Sequence, residues 1–295
     1  MAVGKKITDL TASGSLKDTD LAIVHDGNGT KKSTLTQLGE YMGTKFSNPN
    51  LLINPDFKIN RRGKSEYTSN SYTVDRWKIN SGSVKPSSSG VTVTLNNKGQ
   101  FIQAFENLLT GTYTASIKIT SITGECALFV GQHSLQLNKA GVFSFTENGS
   151  MNGVSLYKST AGTCTINIEW IKLEQGSIAT PFIAPNSAEE LEKCKAFYLM
   201  LPKSLVGYRL ANGVLIGVND IAKMKRAKTA TVVGNNKNTQ LVCNGNTANA
   251  VITSVEILDG NVIGLYIQNV QSIFNHQTIA LDFNDSQLAI DAEIY

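Results

Sequence analysis

Cys164-Thr165-Ile166-Asn167-Ile168-Glu169-Trp170-Ile171-Lys172-Leu173 decides the fold. Cys164, Ile166, Ile168 and Trp170 face one way in an extended chain, and Thr163, Thr165, Asn167 and Glu169 face the other. A period of two with one apolar face predicts a strand covering a core, with Trp170 in that core. After Trp170 the alternation slips onto Ile171 and Leu173, which predicts a β-bulge at the change of face.

The same pattern recurs on either side. Val91, Val93 and Leu95 alternate with Thr92 and Thr94, and Tyr113, Ala115, Ile117 and Ile119 alternate with Thr112, Thr114, Ser116 and Lys118. Residues 101–105, 126–130, 142–145 and 154–157 add further short strands between polar turns. Many short strands separated by turns predict an antiparallel sandwich of jelly-roll type over 47–185. Pro181 and Pro185 frame a linker, after which Ser187 and Glu190 make a capping box for a helix striped by Leu191, Cys194 and Tyr198. Beyond about residue 200 the pattern is β again, with turns at Asn212-Gly213, Asn244-Gly245 and Asp259-Gly260. Residues 186–295 therefore read as a connecting helix and a second, smaller β-sandwich.

Residues 1–46 have few core-forming side chains. Leu21, Ile23, Val24 and His25 lead into Asp26-Gly27-Asn28-Gly29, a hairpin turn. Thr34 with Gln37 makes a capping box ahead of Leu35, Leu38 and Met42, which share one helical face. So short a helix does not stand alone in water, so this module is expected to dock on another subunit or a neighbouring protein.

A chain of 295 residues exceeds the usual single-core limit. With 41% hydrophobic and only 17% charged residues, its composition fits sandwiches with polar loops better than charged helical bundles. The net charge of +4 is spread too thinly for a phosphate backbone, which argues against nucleic acid. Cys126, Cys164, Cys194 and Cys243 are far apart without CxxC spacing, so free buried thiols are expected and neither a metal site nor a redox pair is signalled. Met1 to Leu10 holds no apolar targeting core and no run reaches the length of a membrane span. A soluble protein made in the cytoplasm, without membrane insertion, is the expectation.

Residues 50–63, Asn-Leu-Leu-Ile-Asn-Pro-Asp-Phe-Lys-Ile-Asn-Arg-Arg-Gly, followed by Tyr72-Thr73-Val74-Asp75-Arg76-Trp77, resemble the opening of the middle domain of phage and prophage tail-fibre and appendage proteins. Trp170 to Phe182, running into Ala188-Glu189-Glu190-Leu191 and Cys194 to Tyr198, is similar to the phrase that closes the family's carbohydrate-binding-like jelly roll. Residues 289–294 look like the family's final strand, and Ile7-Thr8-Asp9-Leu10, Asp18 to Leu21 and Ser33 to Leu38 are similar to its virion-attachment modules. The resemblance implies a mainly β, homotrimeric tail appendage of the virion, made in the host bacterial cytoplasm. Its N-terminus would anchor on other tail proteins and its β-domains would face a bacterial surface glycan.

Single residues support this less sharply. Trp77 and Trp170 have the chemistry of sugar-stacking platforms, but core packing is expected for both. Asp75 and Arg76 are expected to form a structural ion pair, and Arg61 and Arg62 to bond backbone carbonyls. Tyr67, Tyr72, Tyr157 and Tyr208, read as exposed on turns, are candidate glycan contacts. Lys223, Lys225, Arg226 and Lys228 form the only dense basic run, a solvated face or a contact for anionic surface polymers. His25, His133 and His276 stand in no catalytic motif, and Asp282 with Asp285 defines no glycosidase geometry. The expected function is non-enzymatic attachment without a cofactor. The alternative is a purely structural collar, baseplate or tail accessory component, with a glycan-degrading enzyme ranked below both.

Overall fold

The computed structural model describes residues 17–25, 27–43, 46–210, 213–218, 224, 229–234, 238–243, 246–258, 262–268, 277–283 and 286–293. The protein is mainly β, with two short helices among these residues.

At the N-terminal end the strands Leu21–His25 and Thr30–Thr34 pair as the expected hairpin. The helix Leu35–Gly43 opens on the expected reciprocal cap: Gln37 N donates to Thr34 Oγ1 at 3.1 Å, and Thr34 N donates to Gln37 Oε1 at 2.9 Å. Leu21, Ile23, Tyr41, Met42 and Phe46 remain exposed. The resemblance in Ile7 to Leu10 lies outside the described residues.

Ten strands between Tyr67 and Gln175 form one hydrogen-bonded sheet, eight in a continuous order and two branching from it, over a single apolar core. The residues expected as separate strands at 101–105 and 113–119 are one long strand, Gln100–Thr123, which pairs along Gly141–Tyr157 and Cys164–Gln175. The bulge in Cys164–Gln175 falls ahead of the place expected for it after Trp170: the register shifts between Asn167 and Ile168 and again between Ile168 and Trp170, and runs unbroken from there. Its consequence differs from expectation for Trp170. Ile168 and Ile171 are both in the core, and the extra residue turns Trp170 to the outer side, where it is half-buried. Gly90, at φ +132°, lets its turn close on this bulge, since a Cβ there would lie 1.9 Å from the Ile168 carbonyl oxygen.

The phrases that carry the family resemblance have structural work in this fold. Asn54, fully buried with φ 54°, donates from Nδ2 to the carbonyls of Ile59 and Asp75 and accepts from Ile59 N at Oδ1. Its own carbonyl accepts from Trp77 Nε1 at 3.1 Å, and Trp77 stacks on Phe101 in the core. Lys172 and Glu174, also buried, pair at 3.1 Å. They hold the Thr180-Pro181 segment: Lys172 Nζ donates to Thr180 Oγ1, the carbonyls of Thr180 and Pro181 and Ser47 Oγ, and Glu174 accepts from Thr180 N.

The helix Ser187–Lys195 is capped one residue earlier than expected, because Asn186 Oδ1 accepts from Ala188 N and Glu189 N. This frees Glu190, which instead accepts from Asn54 N at 2.6 Å and ties the helix to the sandwich. The expected second sandwich is corrected in detail. Six strands between Ser204 and Asp282 close as a barrel, and Tyr198–Met200, Ser286–Asp291 and Thr229–Gly234 form a three-stranded sheet packed with it into one core. Alternation alone does not distinguish two stacked sheets from one closed sheet, since both bury one face of each strand. All four cysteines are free and buried, as expected.

Candidate functional site

Within the sandwich, Ile79, Phe101, Leu156 and Leu128 lie opposite one another across four strands and are fully buried. The residues that alternate with them therefore face outward. One outward row runs Tyr72, Lys78, Ile102, Ser155, Phe129, and the next runs Gln100, Tyr157, Ala127.

At one end these rows line an open groove of about 280 Å³. Phe129 and Tyr157 meet edge to face at 5.7 Å and 82°. Gln100 Nε2 donates to Ser155 Oγ at 3.0 Å, and Asn152 adds a second amide to the lining. At the neighbouring loop, a Cβ on Gly131 would touch Glu147, and buried Glu147 is paired with His133, whose side chain is 69% exposed. Two rings in fixed geometry beside amide and hydroxyl groups suit a pyranose, whose CH face packs on a ring while its hydroxyls exchange hydrogen bonds.

At the other end the row runs into the junction with the C-terminal lobe. Arg76 NH1 donates to Glu293 Oε2 at 2.6 Å, and Arg62 NH2 reaches Asp291 Oδ2 at 3.3 Å. The Arg76 guanidinium lies 3.6 Å from the Phe197 ring centre, and that of Arg62 lies 3.9 Å from Tyr198 and 5.4 Å from Tyr72. Burial pushes the Glu293 carboxyl upward in pKa, opposed by Arg76 and Arg62. Burial works against the charge on Arg62, but Glu293, Asp291 and Asp75 together raise its pKa. Burial raises the hydroxyls of Tyr72, Tyr67 and Tyr198.

These contacts correct several sequence readings. Asp75 pairs with Arg61, through Nε at 2.8 Å and NH2 at 2.6 Å, and not with its neighbour Arg76. Arg61 and Arg62 meet carboxylates and rings where backbone carbonyls were expected. Tyr67 and Tyr72 are not exposed. Tyr67 is 2% exposed and its hydroxyl donates to Asn60 Oδ1, while Tyr72 is closed in by the junction. Tyr157 sits in the groove. Tyr208 is 44% exposed on the outside of the barrel, beside exposed Val206 and Leu210 and apart from the groove. Lys223, Lys225, Arg226 and Lys228 lie outside the described residues. Phe129, Gln100 and Asn152 were missed. The cross-strand register that unites them with Tyr157 is long-range and leaves no local signal in sequence.

No family model and no curated protein matches the chain. Among solved structures, it is similar to the tandem CBM22 domains of Paenibacillus barcinonensis Xyn10C, at 8% identity over 84% of this chain and 98% of that one, with a TM-score of 0.25. It is similar to YlbA from E. coli at 12% identity over 98% and 97% of the two chains, with a TM-score of 0.20. Scores this low transfer none of those proteins' chemistry.

Proposed function

We propose that this chain is a tail appendage of a phage or prophage virion that holds a bacterial surface glycan without cleaving it. The observation that carries the reading is the pairing of Phe129 and Tyr157 beside the Gln100–Ser155 hydrogen bond on an open sheet face. The groove lining supplies rings, amides and hydroxyls, the groups that hold a neutral sugar. The phrases around Asn54, Asp75 and Lys172 support the family reading. The exposed apolar side chains of the 17–46 module fit a segment that docks on another tail protein. Three copies would turn weak single-site affinities into useful avidity.

The test is a glycan array probed with the full chain and with Tyr157→Ala, alongside a light-scattering mass measurement. Glycan binding that the substitution abolishes, without released oligosaccharide, supports the reading; binding unaffected by it removes the groove from the proposal. The purely structural alternative draws on one observation, the exposed Val206, Tyr208, Leu210 and Tyr266 of the barrel, a surface suited to subunit packing. A trimer that binds no glycan would favour it.

A further inference from the structure

A second concave surface shares no lining residue with the groove. The bulge turns Trp170 outward, and the Lys172–Glu174 latch brings Phe182 onto it, so the two rings stack at 4.6 Å and 4°. Together they line a cleft of about 490 Å³. Two ion pairs flank the rings: Lys58–Asp56 at 3.0 Å and Lys118–Glu169 at 2.7 Å. The side chains of Lys58, Lys118 and Glu169 are 55%, 40% and 38% exposed, so their donors and acceptors remain open to solvent.

We propose that this cleft is a saccharide subsite for a neutral pyranose bearing adjacent free hydroxyls. Trp170 gives the sugar's apolar face an indole already fixed by stacking, which lowers the ordering cost of binding. Each carboxylate accepts from hydroxyls and each ammonium donates to them, so adjacent hydroxyls are met from both sides. Because each charge has its counter-charge, the cleft offers no net attraction to an anionic polymer. The inference shares the glycan chemistry of the proposed function but rests on different residues, and the two fail separately.

The chain has only two tryptophans, and Trp77 is completely buried. Acrylamide quenching of the full chain therefore reports on Trp170. The probes are methyl glucoside, methyl galactoside, methyl rhamnoside and N-acetylglucosamine. At least one is expected to protect Trp170 saturably, with the same affinity in Tyr157→Ala and about tenfold weaker affinity when Asp56→Asn and Glu169→Gln are combined. Glu169 lies at the solvated rim, and Asp56, whose side chain is 10% exposed, keeps its shape as Asn; an unchanged melting temperature confirms that the doubly substituted chain is folded. The proposal is overturned if none of the four sugars protects, or if acrylamide fails to reach Trp170 in the free chain. It is equally overturned if protection disappears in Tyr157→Ala while surviving the rim substitutions, since the sugar then sits in the groove.

Discussion

Arg76 and Glu293 are 217 positions apart in the chain, yet their side chains meet at 2.6 Å in a site where both are almost fully buried. The pair joins the start of the sandwich to the end of the C-terminal sheet. Removing one partner strands the other charge away from water, which costs about 3–5 kcal/mol. Glu293→Ala and Arg76→Ala are therefore each expected to lower the urea midpoint strongly. Combining Arg76→Met with Glu293→Leu should recover most of the loss, because the desolvation penalty of both charges goes with them. A double variant as unstable as either single one would show that the pair is not what holds the junction.

The junction also sets an alkaline limit. Burial raises the hydroxyl pKa of Tyr67, Tyr72 and Tyr198 in the folded state, whereas in the unfolded chain they ionise near the ordinary tyrosine value, about 10. Below that value both states hold the protons and stability is unaffected. As pH rises past it only the unfolded state gains by releasing them, so stability falls from there up through the folded pKa values. Melting temperatures measured across the alkaline range should decline more gently in Tyr72→Phe and Tyr198→Phe than in the native chain. Parallel declines would mean that other groups set the limit.

The bulge and the junction show where sequence reading succeeds and where it stops. The slip of alternation after Trp170 signalled a bulge in this strand, though the shifts fall just before that residue, because the strand's own residues record which face is buried. It misplaced Trp170 because the effect of the extra residue depends on what covers each face, and the cover over Trp170 comes from Phe182, outside the strand. The Thr34–Gln37 cap was legible because its bonds span three residues. Arg76 was assigned to its neighbour Asp75 because nothing local points to a partner 217 positions away. Likewise Tyr157 was picked out by type, but Phe129 and Gln100 become its companions only through strand pairing.

The Lys172–Glu174 latch is predicted to govern the Trp170–Phe182 stack as well as stability. Lys172→Met leaves Glu174 buried without its cation, a loss of about 3–5 kcal/mol. It also removes the donor that holds the Pro181 carbonyl, so Phe182 is no longer held over Trp170. Acrylamide should then quench Trp170 more strongly under conditions where the variant is still folded. Unchanged quenching in a folded Lys172→Met chain would separate the stack from the latch.

For the groove, single-site and surface measurements should diverge. Tyr157→Ala removes an aromatic contact of about 0.5–1.5 kcal/mol together with buried area, so affinity for a soluble monovalent glycan should fall about tenfold. Tyr157→Phe keeps the ring against Phe129 and removes only the hydroxyl, so its loss should be smaller. On a glycan-coated surface a trimer engages up to three sites, each weakened by the same factor, and the losses multiply as long as all three were engaged. Retention of Tyr157→Ala on such a surface should therefore fall by about a hundredfold or more. Equal losses in the two formats would mean that one site at a time makes the contact, which removes avidity from the proposed attachment while leaving the groove as its grip.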